Sequence, residues 1–201
     1  MVMPQALDST PLRVASARRT LASAFVDDPM MKWIFRDVAQ PDQAVAAWLG
    51  LFVEAFAVAG TVDVLPDDDG RPVAIAMWRL DATPLAYPEM PSLGGLMVAF
   101  LGGVRAHEVG TGLAAFASNK PQPPFHYLQF LAVDPQAQGR GLGRRLVLHG
   151  QRRAAVAGRG VYLESTNPRN LAFYSSLGFV TLGEFTLQPD GPPAFGLWWE
   201  A

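Results

Sequence analysis

The chain has 201 residues, half of them hydrophobic and only 17% charged, which is ample for a buried core and excludes a globally disordered polymer. Its formal net charge of -2 offers no basic excess for a polyanionic duplex, so nucleic acid is not expected as a partner. With no cysteine, disulfides, zinc–thiolate sites and cysteine nucleophiles are excluded, and three scattered histidines make no metal site.

Met1 to Pro11 shows no basic and then apolar leader, and a cytoplasmic home is expected. Leu12 to Val14 reads as a short first strand, followed by a helix capped by Ser16 and running to Ala24. Asp27-Asp28-Pro29 ends that helix, and Met30 to Phe35 forms a short apolar turn or helix. Pro41 and Asp42 open a strong helix through Ala59, closed by Gly60. The apolar stretch Ala44 to Gly60 carries Glu54 and falls short of the roughly 20 residues of a membrane span, and Leu93 to Gly103 is far too short, so no stable membrane insertion is expected.

Thr61 to Leu65 and Pro72 to Leu80 read as a hairpin around the turn Asp67-Asp68-Asp69-Gly70. A Pro-rich loop follows from Asp81 to Ser92. Leu93 to Ser118 then forms one or two helices that can break at Gly102-Gly103. Beyond a linker at Asn119 to Pro124, strands and helices alternate: a strand over Phe125 to Val133, a helix over Gly141 to Ala157, a strand over Val161 to Ser165 and a helix over Asn170 to Leu177. Two more strands, Phe179 to Leu187 and Ala194 to Glu200, complete a mixed α/β fold with some parallel pairing.

The stretch FLAVDPQAQGRGLGRRL, Phe130 to Leu146, carries most of the chemistry. A strand ends at Val133, Asp134-Pro135 turns the chain, and Gln138-Gly139-Arg140-Gly141-Leu142-Gly143 opens a helix. Glycines let a ligand approach the backbone, and the free N–H groups of a helix start favour phosphate. The Gly-Lys-Ser/Thr of a P-loop is absent. A dinucleotide fingerprint fails too, because Arg144 stands where its third glycine belongs and several residues separate Val133 from Gly139. What remains is Gln138, Gly141 and Gly143 in a Gln-x-x-Gly-x-Gly pattern. Alone, it fits a pyrophosphate loop and a glycine-rich helix entry equally well.

A second motif, LESTNPRNLAFYSSLGF from Leu163 to Phe179, follows at a fixed distance. Together the two resemble the cofactor segments of the GNAT acetyltransferase superfamily, with Asn170, Ala172, Phe173, Tyr174, Gly178 and Phe179 on the pattern. AFVDDP, Ala24 to Pro29, extends the likeness to the branch similar to puromycin N-acetyltransferase. The resemblance implies one N-acetyltransferase domain over 1–201, its acceptor side in 1–124 and its acetyl-CoA side in 125–201. It implies a GNAT fold: a mixed sheet of about six to seven strands with a splayed parallel pair, flanked by helices.

The resemblance also implies roles. The pantetheine arm of acetyl-CoA would enter between the strands Phe130 to Val133 and Val161 to Ser165 and meet the backbone of Leu131, Ala132 and Val133. Gln138, Gly139, Arg140, Gly141, Leu142, Gly143 and Arg144 would hold the pyrophosphate, Asn170 and Phe173 would flank the cofactor, and Tyr174 would stand at the sulfur as general acid. The acceptor, a small-molecule or peptide amine, would be met by side chains such as Phe25, Met30, Met31, Trp33, Trp78, Phe125 and His126. His107 and His149 read as surface or interface residues.

The general base is open. Many relatives carry a carboxylate three residues before the position of Val133, and here that residue is Phe130. A water chain, Glu164, Glu89 or Glu108 could serve, although a structural hydrogen bond at the strand end suits Glu164 better, and a weakly basic amine already neutral at working pH needs little help. Phe130 keeps a second reading alive, a non-catalytic acyl-CoA sensor, beside a nucleotide binder using the same glycines. The apolar N-terminal helices suit a monomer or a homodimer.

Overall fold

A computed structural model describes residues 2–80, 90–122 and 124–201. Seven strands form one sheet in the order β1-β2-β3-β4-β5-β7-β6. They are β1 (Gln5–Ala6), β2 (Val62–Pro66), β3 (Pro72–Arg79), β4 (Phe125–Val133), β5 (Gly160–Ser165), β6 (Val180–Thr186) and β7 (Pro193–Trp199). β4 and β5 run parallel, and every other neighbouring pair is antiparallel. This is the mixed α/β GNAT architecture expected above.

Three helices begin with proline at their first position, where the missing N–H costs nothing and the fixed φ already suits the helix: α1 (Pro11–Phe25), α2 (Pro29–Ile34) and α3 (Pro41–Val58). This rule corrects the strand expected at Leu12 to Val14. Thr10, in extended conformation, caps α1, and Ser16 is a buried interior residue of that helix. The first strand lies earlier, where Gln5 and Ala6 pair with Val64 and Asp63. Two residues are too short to show a strand period.

α4 (Leu93–Asn119) is bent at Gly102, whose φ of 72° and ψ of 164° interrupt the helix. Ser92 caps its start by accepting the Gly95 N–H at 3.1 Å. α5 (Leu142–Val156) and the short α6 (Leu171–Ser175) complete the set. Among the described residues no helix is long and apolar enough to cross a membrane.

The sheet separates two cores. One packs α1 to α4 against Ile75, Met77, Phe130 and Ala132. The other packs α5 and the α6 region against Ala74, Ala76, Trp78, Leu128, Val161 and Leu163. β3 is therefore covered on both faces, which explains its unbroken apolar run. α5 lies close on the sheet because Gly150 sits against the Trp78 indole, where a Cβ would collide with the ring. Gly150→Ala should destabilise the fold by about 1–3 kcal/mol, the usual range for overpacking. Urea unfolding checks this, and an unchanged midpoint would show that α5 can slide.

Candidate active site

β4 keeps register with β3 from Val133 back to Phe130, which faces Met77, and then Trp78 faces Leu128. Gln129 is the extra residue of a β-bulge, which bends a strand and sharpens its twist. On the other edge of β4, parallel pairing covers only Phe125↔Gly160, His126↔Val161 and Tyr127↔Tyr162. β4 nevertheless runs on to Val133 and β5 to Ser165. The strands part where the bulge begins. The Asp134 N–H donates to Val73 O at 2.8 Å, toward β3. Strand alternation then turns the peptide groups of Leu131 and Val133 the other way, into the gap.

Below the gap lies a cleft of about 560 Å³. Leu131, Ala132, Val133, Gln138, Gly139, Gly141, Leu142, Gly143, Arg144, Asn170, Phe173 and Tyr174 all line it. Gly139 and Gly141 adopt φ of 75° and 71°, and a Cβ on either would point into open space. The loop thus leaves room for a ligand at the α5 N-terminus, where unpaired N–H groups and the helix dipole favour an anion. Arg140 is turned away, donating to Gln136 O at 3.3 Å, and is not part of the lining.

A second, larger cavity of about 760 Å³ lies on the α4 side of the sheet. Phe25 and Phe130 meet edge to face at 5.7 Å, Phe52 packs on Phe130 at 5.2 Å, and Trp48 on Phe52 at 5.1 Å, forming one aromatic wall. Phe25, Asp28, Leu131, Asn170 and Tyr174 line both cavities and mark their junction. Asp28 caps α2 by accepting the Met30 N–H at 2.9 Å, and the Thr166 hydroxyl approaches the same oxygen at 3.4 Å.

Burial raises the Asp28 carboxyl above its ordinary pKa, against the lowering effect of the Met30 and Met31 N–H groups and Thr166. Burial likewise raises the Tyr174 phenol, and the charge of Asp28 adds to the effect. Glu164, further into the chamber, is raised by burial too, while Tyr127, Lys120 and Tyr162 favour its anion. The Tyr127 and Tyr162 hydroxyls hydrogen-bond the buried Glu164 carboxyl. This agrees with the structural hydrogen bond expected of Glu164 at the end of β5.

Of the side chains expected to meet an acceptor, Phe25 and Met30 line the chamber, and the others belong elsewhere. Met31 is fully buried core. Trp33 is buried in the core against Gly112 of α4, beneath the guanidinium of Arg105, and its Nε1 donates to Asp190 at 3.3 Å, tying α2 to the β6–β7 turn. Trp78 and His126 face α5 on the opposite side of the sheet, and Phe125 packs on Tyr162 and Trp198. His107, read as a surface or interface residue, is exposed and also lines the chamber. Glu108 pairs with Arg105 on an exposed face of α4, and Glu89 lies outside the described residues. Sequence reasoning missed Asp28 as a site residue, although AFVDDP contains it. Among the described residues no cluster of histidine and acidic side chains could hold a metal ion.

Residues 94–181 match the family model described as an acetyltransferase (GNAT) domain. A crystal structure from Corynebacterium glutamicum, described as histone acetyltransferase HPA2 and related acetyltransferase, superposes with a TM-score of 0.68 at 30% identity, covering 99% of this chain and 97% of that one. The mycothiol acetyltransferase of Kineococcus radiotolerans is 34% identical over 73% of this chain and 43% of its own length. The N-alpha-acetyltransferase RimI of Mycobacterium tuberculosis is 40% identical over 40% of this chain and 52% of its own length. The match thus spans about half the length of these curated relatives or less. The chain belongs to the GNAT acetyltransferase family, whose members draw on acetyl-CoA.

Proposed function

We propose that this chain transfers an acetyl group from acetyl-CoA to a primary amine of a small molecule or peptide, by direct attack within a ternary complex. The supporting observation is the junction: a cleft suited to the cofactor and a chamber suited to an acceptor meet at Tyr174, Asp28 and the parted edge of β4. The relatives named for mycothiol and for N-alpha-acetylation favour an acceptor of either size. AFVDDP and the two cofactor motifs favour the branch resembling puromycin N-acetyltransferase. One domain over 1–201, acting as a monomer or homodimer, fits this reading.

The residues of the cleft suit the co-substrate. The loop over Gln138 to Gly143 with the α5 N-terminus would take its pyrophosphate, and the Leu131 and Val133 peptides would pair with its amide-bearing arm. When bound, acetyl-CoA supplies the thioester carbonyl and the thiolate that leaves. The turned-out peptide donors of β4 are placed to meet charge on the carbonyl oxygen. Asp28, made more basic by burial, accepts the proton that the attacking amine must lose. Tyr174 stays protonated throughout the working range and offers its hydroxyl to the sulfur.

The test is thiol release by the purified chain given acetyl-CoA and an amine panel. Cofactor binding by calorimetry with no transfer to any amine would favour a sensor instead. Gly141→Val should weaken coenzyme A binding by about tenfold, the equivalent of one charge-assisted hydrogen bond, because a branched side chain is strained at this φ and fills the approach. Unchanged affinity would remove the loop from the cofactor site.

A further inference from the structure

We infer that the chamber is built for a cationic amine on a compact apolar body, an arylalkylamine or branched alkylamine, and not for an aminosugar or a polyamine. This deepens the acetyltransferase reading and rests on it. Three observations carry it.

The first is the wall. Phe25, Trp48, Phe52, Met97, Phe116 and Phe130 line one continuous apolar surface, which cannot replace the hydrogen bonds a sugar would give up on entering. Trp48 Nε1 is a buried donor without a partner in that wall and suits a single oxygen on such a body.

The second is the roof. α4 presents Gly94, Gly103 and Gly110 to the chamber, and a Cβ on Gly103 or Gly110 would meet nothing within 4 Å. That volume is therefore kept free of side chains.

The third is the polar end. The Gln129 Oε1 is a buried acceptor without a partner, Glu164 is a buried carboxyl reached by the Tyr127 and Tyr162 hydroxyls, and both residues line the chamber. Burying an unpartnered acceptor is costly, so the Gln129 Oε1 calls for a donor there. Around Asp28 and Glu164, the Lys120 ammonium sits 3.9 Å over the Tyr127 ring, the charge of Arg79 acts on both Lys120 and Tyr127, and His107 lies on the α4 face. The two carboxyls of the described lining, Asp28 and Glu164, favour a single ammonium, and a polyamine would bring more charges than they can pair.

The test uses phenethylamine, methylamine, glucosamine, spermidine and a short peptide with a free N-terminus. Thiol release should give a kcat/KM for phenethylamine about 100-fold above that for glucosamine. Calorimetry without coenzyme A should detect phenethylamine binding that Glu164→Gln weakens by about tenfold. Gly110→Leu, which adds a better helix former in open space, should reduce the preference for phenethylamine over methylamine by about tenfold without lowering the thermal midpoint. Transfer that favours glucosamine, spermidine or the peptide, with Gly110→Leu silent, overturns the inference and leaves the acetyltransferase reading intact. Glu164-dependent phenethylamine binding with no transfer to any amine keeps the chamber assignment and removes the catalytic one. No binding and no transfer removes both.

Discussion

Tyr174→Phe is expected to lower kcat by about 100-fold or more, the range for losing a positioned proton donor, with little change in the Kd for coenzyme A. The substitution deletes one hydroxyl at the junction of the two cavities. It keeps the ring, which packs edge on against Phe173 at 5.0 Å and Phe179 at 5.6 Å, so the cleft should hold its shape. The raised phenol pKa defines the role. A thiol ionises more readily than a phenol, so full proton transfer to the sulfur is uphill, and on the proposed reading Tyr174 would act mainly by hydrogen-bonding the departing thiolate. Activity should accordingly show no loss from phenol ionisation up to pH 9. A wild-type kcat in the variant would rule out the donor role, whereas lost coenzyme A binding would make the ring a structural pillar.

Asp28→Asn carries the second large effect, a fall in kcat/KM of about 100-fold or more. The carboxylate must be ionised to accept a proton, so wild-type activity should fall as pH drops through the Asp28 pKa, which burial holds above 3.8. That acid limb should vanish in the variant. Stability moves the other way. A carboxyl whose folded pKa is raised favours the native state below its unfolded pKa, and this contribution is lost as pH rises through the folded value. At neutral pH the buried charge therefore costs stability. Asparagine keeps the α2 cap and removes that charge, so the thermal midpoint at pH 7 should hold or rise. A variant that loses activity through unfolding would contradict the assignment, and so would one that retains full turnover.

Neither effect depends on residues equally visible in the sequence. Tyr174 belongs to a contiguous motif whose helix, turn and glycine lie within a few positions of it. Asp28 was visible only as a helix stop between two proline-started helices. Its place beside Tyr174 depends on α1 and α2 folding back across the gap in the sheet, where Thr166 of the β5 end reaches it. The β4 bulge was invisible for a similar reason. Gln129 carries no glycine or proline signal, yet it resets the alternation. His126 and Leu128 thus face α5, while Phe130 and Ala132 face the opposite core.

What the sequence determined alone was whatever is written in local order. The glycine loop before α5, the Asn170 to Phe179 segment, the break in α4 at Gly102 and the run of late strands all follow from backbone preferences and short-range period. What only the tertiary structure decided was which aromatic side chains meet a ligand. Phe25 and Trp33 look equivalent in an apolar helical stretch, yet one walls the chamber and the other is packed into the core away from it with its indole N–H on Asp190. The physical reason is that a cavity is the space left between distant elements. Its lining is set by how α4, the N-terminal helices and a bulged strand pack, and no short stretch of chain encodes that arrangement by itself.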